Sequence, residues 1–444
     1  MIARYTTSEM AELWSDGSKF DLWLEIEKLA AEVQAQHGMI PADAARRIRE
    51  RAYVPDVERI HEVERTETHH DVVAFLRVVG ETLGEDARYL HMGLGSSDVV
   101  DTATAVLLVR AADLLLAEVE ETIRVLTALA DRHRYTLMAG RTHGVQAEPT
   151  TFGLKVAVWV AEMQRNRDRL QRARETVRVG KISGEVGNYA HLPPWAEAYV
   201  CERLGLVPAP VSSQILQRDR HADYLCAIAV VGGTLEKIAT EIRSLQRTEI
   251  LEVEEPFAAG QTGSSAMPHK RNPVVCERIV GLARMLRANA LAALENQALW
   301  GERDISHSSN ERITLPGSTA LLHYMLRKMR FVLAHLNVYP DRMRANLEGS
   351  GGLVYSHRVL LALIEHGMSR EDAYRAVQSA ALDVWQQPHR PPDALLRRLQ
   401  DDPQVRGAIH QTDLAACLDP APYLAHVDRI LERIGIPKKE EATP

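Results

Sequence analysis

No proline occurs between Pro55 and Pro149, between Pro149 and Pro193, between Pro210 and Pro256, or between Pro273 and Pro316. Proline removes an amide donor and clashes with the preceding turn, so such gaps are where helices of many turns can run. Within each gap apolar residues recur at alternating spacings of four and three. The first gives Leu108, Ala112, Leu115 and Val119, continuing after Thr122 at Leu126 and Leu129; the second gives Phe152, Val156, Trp159 and Met163. The third gives Ile228, Val231, Leu235, Ile238, Ile242 and Leu245, and the fourth Val275, Ile279, Leu282 and Leu286. This is the stripe of long rods packed side by side. Runs alternating β-branched or aromatic with polar residues are sparse, so the chain is predicted to be all-α, a long-helix bundle with one rod from about Asp98 to His133.

The segments between the rods, 93–97, 140–144, 180–188, 260–273 and 304–317, are rich in Gly, Ser, Thr, Asn, His and Pro. They are expected to be loops and to carry function. Gly349, Gly351 and Gly352 suggest a hinge, and with a boundary near residue 95 they divide the chain into an N-terminal helical domain (1–95), a central long-helix domain (96–348) and a C-terminal helical domain (349–444).

Composition removes several classes of function. With 53 Lys+Arg against 60 Asp+Glu, the net charge of −7 disfavours nucleic acid and membrane surfaces, both polyanionic. No stretch approaches the roughly 18–20 apolar residues of a membrane span. The start, with Arg4, Glu9, Glu12 and Asp16, is unlike an apolar leader, so a cytoplasmic protein is expected. Cys201, Cys226, Cys276 and Cys417 form no C-x-x-C pair, there is no H-E-x-x-H, and Gly93-Leu94-Gly95-Ser96-Ser97-Asp98 lacks the third glycine of a dinucleotide loop. Neither a metal nor a cofactor is expected.

Three clusters carry the chemistry. Gly263-Ser264-Ser265-Ala266-Met267-Pro268-His269-Lys270-Arg271-Asn272-Pro273 combines loose backbone, two hydroxyls and several donors for carboxylate or phosphate oxygens. Asn272-Pro273 reads as an N-cap and first-turn proline of the fourth rod; the whole also fits a polar inter-helix turn. Gly140-Arg141-Thr142-His143-Gly144 sets an imidazole between glycines, where a ligand can approach closely. Asp304-Ile305-Ser306-His307-Ser308-Ser309-Asn310-Glu311-Arg312 is dense in hydroxyls and bracketed by Arg303 and Arg312, although one serine could simply cap a helix.

At these clusters the sequence resembles the fumarase/aspartase superfamily, whose signature is a G-S-S-x-M-P-x-K-x-N-P loop. Within it the chain resembles the bacterial adenylosuccinate lyase family, through Met1-Ile2-Ala3-Arg4-Tyr5, His70-Asp71-Val72-Val73-Ala74-Phe75, Gln214 with Gln217 to Asp223, and Asp304 to Pro316. Gly95 departs from the pattern where a hydroxyl residue is expected, Gln146 where a His is usual, and Gly317 where an Asp usually follows the proline.

The resemblance implies a β-elimination that removes fumarate from a succinylated purine ribotide, with no cofactor. It implies a homotetramer whose central rods form the core and whose active sites are shared between subunits. A carbanion beside a carboxylate needs fixed donors and cations, and the leaving amine needs an acid, for which a His with a pKa of about 6.5 is suited. By resemblance His143 is the acid, Ser264 the base in a loop that closes over substrate, Glu277 the carboxylate that orients or charges His143, and His70 a further participant. Arg4, Tyr5, Arg271, Ser309 and Arg312 are assigned to the phosphate and succinyl carboxylates, with Ser265, Lys270 and Asn272 as donors and Gln214 on the substrate amide or carboxylate. His69, Asp71, Ser96, Thr142, Arg303 and Asn310 join the binding set, as does Gly95 through its backbone. Other members of the superfamily, and a non-catalytic helical scaffold, are the rival readings; a carboxymuconate cycloisomerase is expected to lack the histidine present here as His143.

Overall fold

Long helices run where the proline gaps place them. In chain order come α1 (Asp16–Gln36), α2 (Asp71–Gly80), α3 (Ser96–Arg132), a hairpin of β1 (Leu137–Thr142) and β2 (Val145–Thr151), α4 (Phe152–Val177) and α5 (Asp219–Leu245). They are followed by β3 (Val253–Glu254), α6 (Val274–Glu295), α7 (Ser306–Ala334), β4 (Asn337–Val338), α8 (Pro340–Glu348), α9 (Ser356–Glu365) and α10 (Arg370–Trp385), with shorter helices between and after these. The structure, a computed structural model, describes residues 2–257, 260 and 266–438. The predicted stripes are the buried faces: Leu108, Leu115, Val119 and Leu126 of α3 and Ile228, Val231, Leu235 and Ile238 of α5 are fully buried.

Three local expectations need correction. The 140–144 segment is not a free loop but the end of an antiparallel hairpin, with Leu137 opposite Thr151 and Thr142 opposite Val145. The 304–317 segment is helical from Ser306 onward, and α7 continues through Pro316. Asp304 holds its start, accepting from the Ser306 amide at 2.8 Å and the Trp300 amide at 2.7 Å. Burial of Leu315, Leu322, Leu326 and Met329 around and beyond the proline offsets the roughly 3 kcal/mol that an internal proline costs. Finally, α6 begins at Val274, and its first amides are capped from elsewhere: those of Val275 and Cys276 donate to the buried Glu255 carboxylate at 3.0 Å each.

The chain forms two compact units, residues 1–120, 165–236 and 279–328, and residues 121–164, 237–278 and 329–444. In the first, Phe20, Trp23 and Phe75 pack ring against ring at 5.2–5.9 Å in a core that takes in Val78, Val99, Leu192 and Val200. Gly232 of α5 lets α6 come close, since a Cβ there would lie 2.6 Å from Leu286 Cδ1. In the second, the hairpin rests on α8 and the short 353–355 turn after it through Ala139, Leu347 and Val354, and α9 and α10 share a core with Leu395, Leu399 and Leu414. Arg134, its side chain 2% exposed, pairs with Asp131 at 2.7 Å and Asp428 at 2.5 Å, tying the C-terminal segment to the end of α3.

Candidate active site

In the first unit the start of α3 is anchored by charge. The Gly95 amide donates to Asp98 at 2.8 Å, and the same carboxylate accepts from the amides of Ser183 at 3.0 Å and Gly184 at 3.2 Å. Lys181 completes its shell, and neither side chain has any exposed surface. Three amides and an ammonium on one carboxylate fix the 95–98 turn against residues 181–184. A Cβ at position 95 would stand 2.7 Å from Glu185 Oε1, and the other Glu185 oxygen accepts from the Gln214 amide. The glycine found where a hydroxyl residue was expected therefore makes room for a Glu185–Gln214 pair, and Gly95, Ser96 and Gln214 gather at one end of α3.

His91 belongs to none of the sequence motifs. Its φ of 62° is left-handed, unusual for a residue with a side chain. Its amide donates to Glu27 Oε2 at 2.8 Å, and Nδ1 lies 2.6 Å from Glu27 Oε1. Burial pushes the imidazole pKa down, but the Glu27 hydrogen bond and charge, with Asp98 and Glu185, outweigh burial and raise it above the ordinary value. A carboxylate on the buried face of α1, among Trp23, Leu24, Ile26 and Ala30, was the available signal, because a buried charge demands a partner.

At the start of α7 a second charge cluster borders a cavity of about 270 Å³, whose lining includes Trp14, Lys19, Asp71, Arg218, Arg303 and Arg312. Arg218 forks onto Asp101 at 2.6 and 3.0 Å and onto Glu311 at 3.0 and 3.1 Å. Glu311 also takes His307 Nδ1 at 2.8 Å and His221 Nδ1 at 3.2 Å. Burial alone would raise the Glu311 pKa, but these histidines and Arg218 hold it well below the usual carboxylate range. Asp101 is lowered against burial in the same way by Arg218. Arg303 Nε lies 3.2 Å from His307 Nε2, and Arg312 pairs with Asp71 at 2.6 Å.

His70 is exposed at the start of α2, its Nδ1 3.6 Å from Asp71 Oδ1. His69 precedes it with a φ of 49°. Arg4 is exposed on a short turn, where Tyr5 packs edge-on to Tyr324 at 5.5 Å. Ser309 is exposed, whereas Asn310 exchanges two amide hydrogen bonds with Asn296 at 2.6 and 2.9 Å. Nothing in the structure explains the glycine at 317.

The second unit carries the imidazole. His143 and Gly144, with φ of 54° and 76°, form a two-residue turn between the closing pair Thr142 and Val145; such turns demand left-handed conformations that a histidine adopts only at a cost. His143 and Thr142 are exposed. Arg271 pairs with Glu254 at 3.2 Å, its guanidinium 5.2 Å from the Phe257 ring centre. Lys270 is exposed, and Asn272 precedes α6, which bears the exposed Glu277 in its first turn. Among the described residues of one chain no ion pair within 4 Å joins His143 to Glu277. Ser264 and Ser265 lie outside the described residues.

The family model described as Lyase matches residues 3–287, and the one described as Adenylosuccinate lyase C-terminus matches residues 352–434. The chain is 48% identical to adenylosuccinate lyase of Bacillus subtilis (strain 168), over 98% of this chain and all of that protein. It is 49% identical to adenylosuccinate lyase of Staphylococcus saprophyticus, with the same coverage. Among solved structures it resembles a fumarate lyase from Mesorhizobium sp. BNC1 (TM-score 0.87, 30% identity, 98% and 99% of the two chains). It also resembles 3-carboxy-cis,cis-muconate lactonizing enzyme from Pseudomonas putida (TM-score 0.86, 28% identity, 97% of each chain).

Proposed function

The chain belongs to the adenylosuccinate lyase family of the fumarase/aspartase superfamily, and on that premise we propose that it eliminates fumarate from adenylosuccinate, leaving AMP, and from the succinylcarboxamide ribotide of purine synthesis. The observation that carries this reading is the likeness to adenylosuccinate lyases over 98% of the chain. A base removes a proton from the carbon next to a succinyl carboxylate, the charge spreads into that carboxylate, and the C–N bond breaks as an acid protonates the leaving nitrogen. Exposed on a constrained turn, His143 is the acid. Ser264 is the base, and Lys270 and Asn272 stabilise the doubly charged carboxylate. Arg303 and Arg312 at the cavity, with Arg4, Tyr5 and Ser309, take the ribotide phosphate and carboxylates, Asp71 orients Arg312 through their ion pair and joins the binding set with His69, His70 is a further participant in the chemistry, and Gly95, Ser96 and Gln214 bind at the start of α3.

In this reading these groups come together from more than one chain. Ser96 opens α3, whose 37 residues span about 55 Å at about 1.5 Å each, and His143 follows its other end. A homotetramer of antiparallel neighbours brings the two ends together, Ser264 coming from a further subunit. Exposed apolar residues on the rods, Met285, Leu291 and Leu294 of α6 and Ile313 and Phe331 of α7, support such association. The division into 1–95, 96–348 and 349–444 is part of the same proposal.

The fold likeness to the muconate lactonizing enzyme favours a second reading, cycloisomerisation, against which His143 stands. The test is the ultraviolet change on adding adenylosuccinate to purified protein, with argininosuccinate, aspartate and 3-carboxymuconate as alternatives. Turnover of the muconate in place of adenylosuccinate would reverse the assignment.

A further inference from the structure

The tip that carries His143 has little burial of its own, since Thr142, His143, Gly144 and Val145 are all exposed. One step down the ladder Arg141 faces Gln146 across the strands, and both side chains lead to the same place. Arg141 forks onto Glu252 at 2.9 and 2.7 Å, and that carboxylate has no exposed surface. The Asn346 amide donates to Glu252 Oε1 at 2.9 Å and to the Ile250 carbonyl at 2.8 Å. The Asn346 carbonyl in turn accepts from Gln146 Nε2 at 2.9 Å. Arg141, Glu252, Asn346 and Gln146 thus close a ring around the base of the turn.

We propose that Glu252 is a positioning residue for His143, acting through the two-pronged Arg141 fork with Gln146 and Asn346 as the second arm. A planar guanidinium bound at two points fixes the twist of β1 as well as its place. Arg141 lies two residues before His143, so a change in the fork is felt at the imidazole through a single closing pair. The left-handed backbone of both turn residues adds to the need for a clamp, because an unheld tip has lower-energy alternatives. A misplacement of about 1 Å in a proton donor can cost on the order of 100-fold in rate. Gln146, which stands where a histidine is usual in the family, here supplies the amide that completes the ring.

The proposal rests on His143 being the acid, and the test separates the two. Glu252→Gln keeps the shape of the side chain but removes the charged fork, and Gln146→Ala removes the second arm alone. Both are made in the parent and in a His143→Gln background, with kcat, KM for adenylosuccinate and melting temperature measured on the full-length assembly. In the parent, Glu252→Gln is expected to lower kcat by about 30- to 100-fold with KM within about twofold, and Gln146→Ala by about 3- to 10-fold. In the His143→Gln background each is expected to cost less than about twofold, since the group being positioned is gone. Equal losses in both backgrounds, or no loss in the parent, overturn the positioning role. If Glu252→Gln does not fold, the Gln146→Ala pair decides in the same way. A His143→Gln protein that keeps more than about a tenth of its turnover overturns the acid assignment itself, and the proposal with it.

Discussion

Replacing Asp98 by Asn is the sharpest probe of how the start of α3, where the proposed contacts of Gly95, Ser96 and Gln214 lie, is held. Asp98 and Lys181 are both without exposed surface, and the carboxylate also serves the amides of Gly95, Ser183 and Gly184. Asparagine keeps the volume and one acceptor, turns an NH2 group toward donors, and leaves the Lys181 ammonium buried without its counter-charge. Breaking one side of a buried pair costs about 3–5 kcal/mol. Unfolding entropy of about 2.1 cal/mol/K per residue over 444 residues is about 0.9 kcal/mol/K. A loss near 4 kcal/mol therefore lowers the melting temperature by about 4 °C. The assay is thermal unfolding at fixed protein concentration for Asp98→Asn, Lys181→Met and the double variant. Removing the stranded ammonium should restore at least about half of the loss. Because the Gly95–Ser96 turn loses its tether, KM should also rise in Asp98→Asn. An Asp98→Asn protein melting within about 1 °C of the parent, or a double variant less stable than Asp98→Asn, would refute the reasoning.

Other consequences follow from the same geometry. The Glu311 and Asp101 pKa values are lowered from 4.5 and 3.8, so their contribution to stability is complete above the unfolded values and declines as pH falls through them. Glu311→Gln should accordingly be less stable than the parent at pH 7, and the gap should narrow below about pH 4.5 in acid unfolding curves; a gap that widens there contradicts the pairing. Gly153, the second residue of α4, lies against the end of α3, where a Cβ would be 2.7 Å from the carbonyl oxygens of Ala130 and His133. Gly153→Ala should cost about 1–3 kcal/mol in denaturant unfolding, and a neutral result would show that the backbone yields there. Ser264→Ala should lower kcat by orders of magnitude while substrate still binds, as measured by steady-state kinetics and direct titration; more than about a tenth of the turnover remaining removes it from the chemistry.

The long helices were legible because their apolar residues obey one period over many turns, as in the stripe Ile228, Val231, Leu235, Ile238 and Ile242, every member of which is fully buried. The β1–β2 hairpin was not, because Arg141, Thr142, Gln146 and Glu148 give no alternation of apolar and polar faces, and the glycines at 140 and 144 read equally as a loop. Proline at 316 suggested an end to structure where α7 continues, since its local cost is outweighed by packing that only the folded chain supplies. His143, Arg303 and Arg312 could be picked out by their unusual neighbours in sequence. The carboxylates around them are different: Glu252 meets Arg141 across 111 residues, Glu311 meets Arg218 across 93 and Asp71 meets Arg312 across 241, and no local pattern announces such pairs.

In the proposed tetramer a working site combines His70 of one subunit with His143 of another. Inactive His70→Ala and inactive His143→Ala proteins, mixed and allowed to exchange subunits, measure it directly. If the sites are shared, random reassortment leaves both histidines intact at up to about a quarter of them, and adenylosuccinate turnover returns to about that fraction of the parent's. A mixture that stays inactive after native mass spectrometry has shown exchanged subunits would contradict the account.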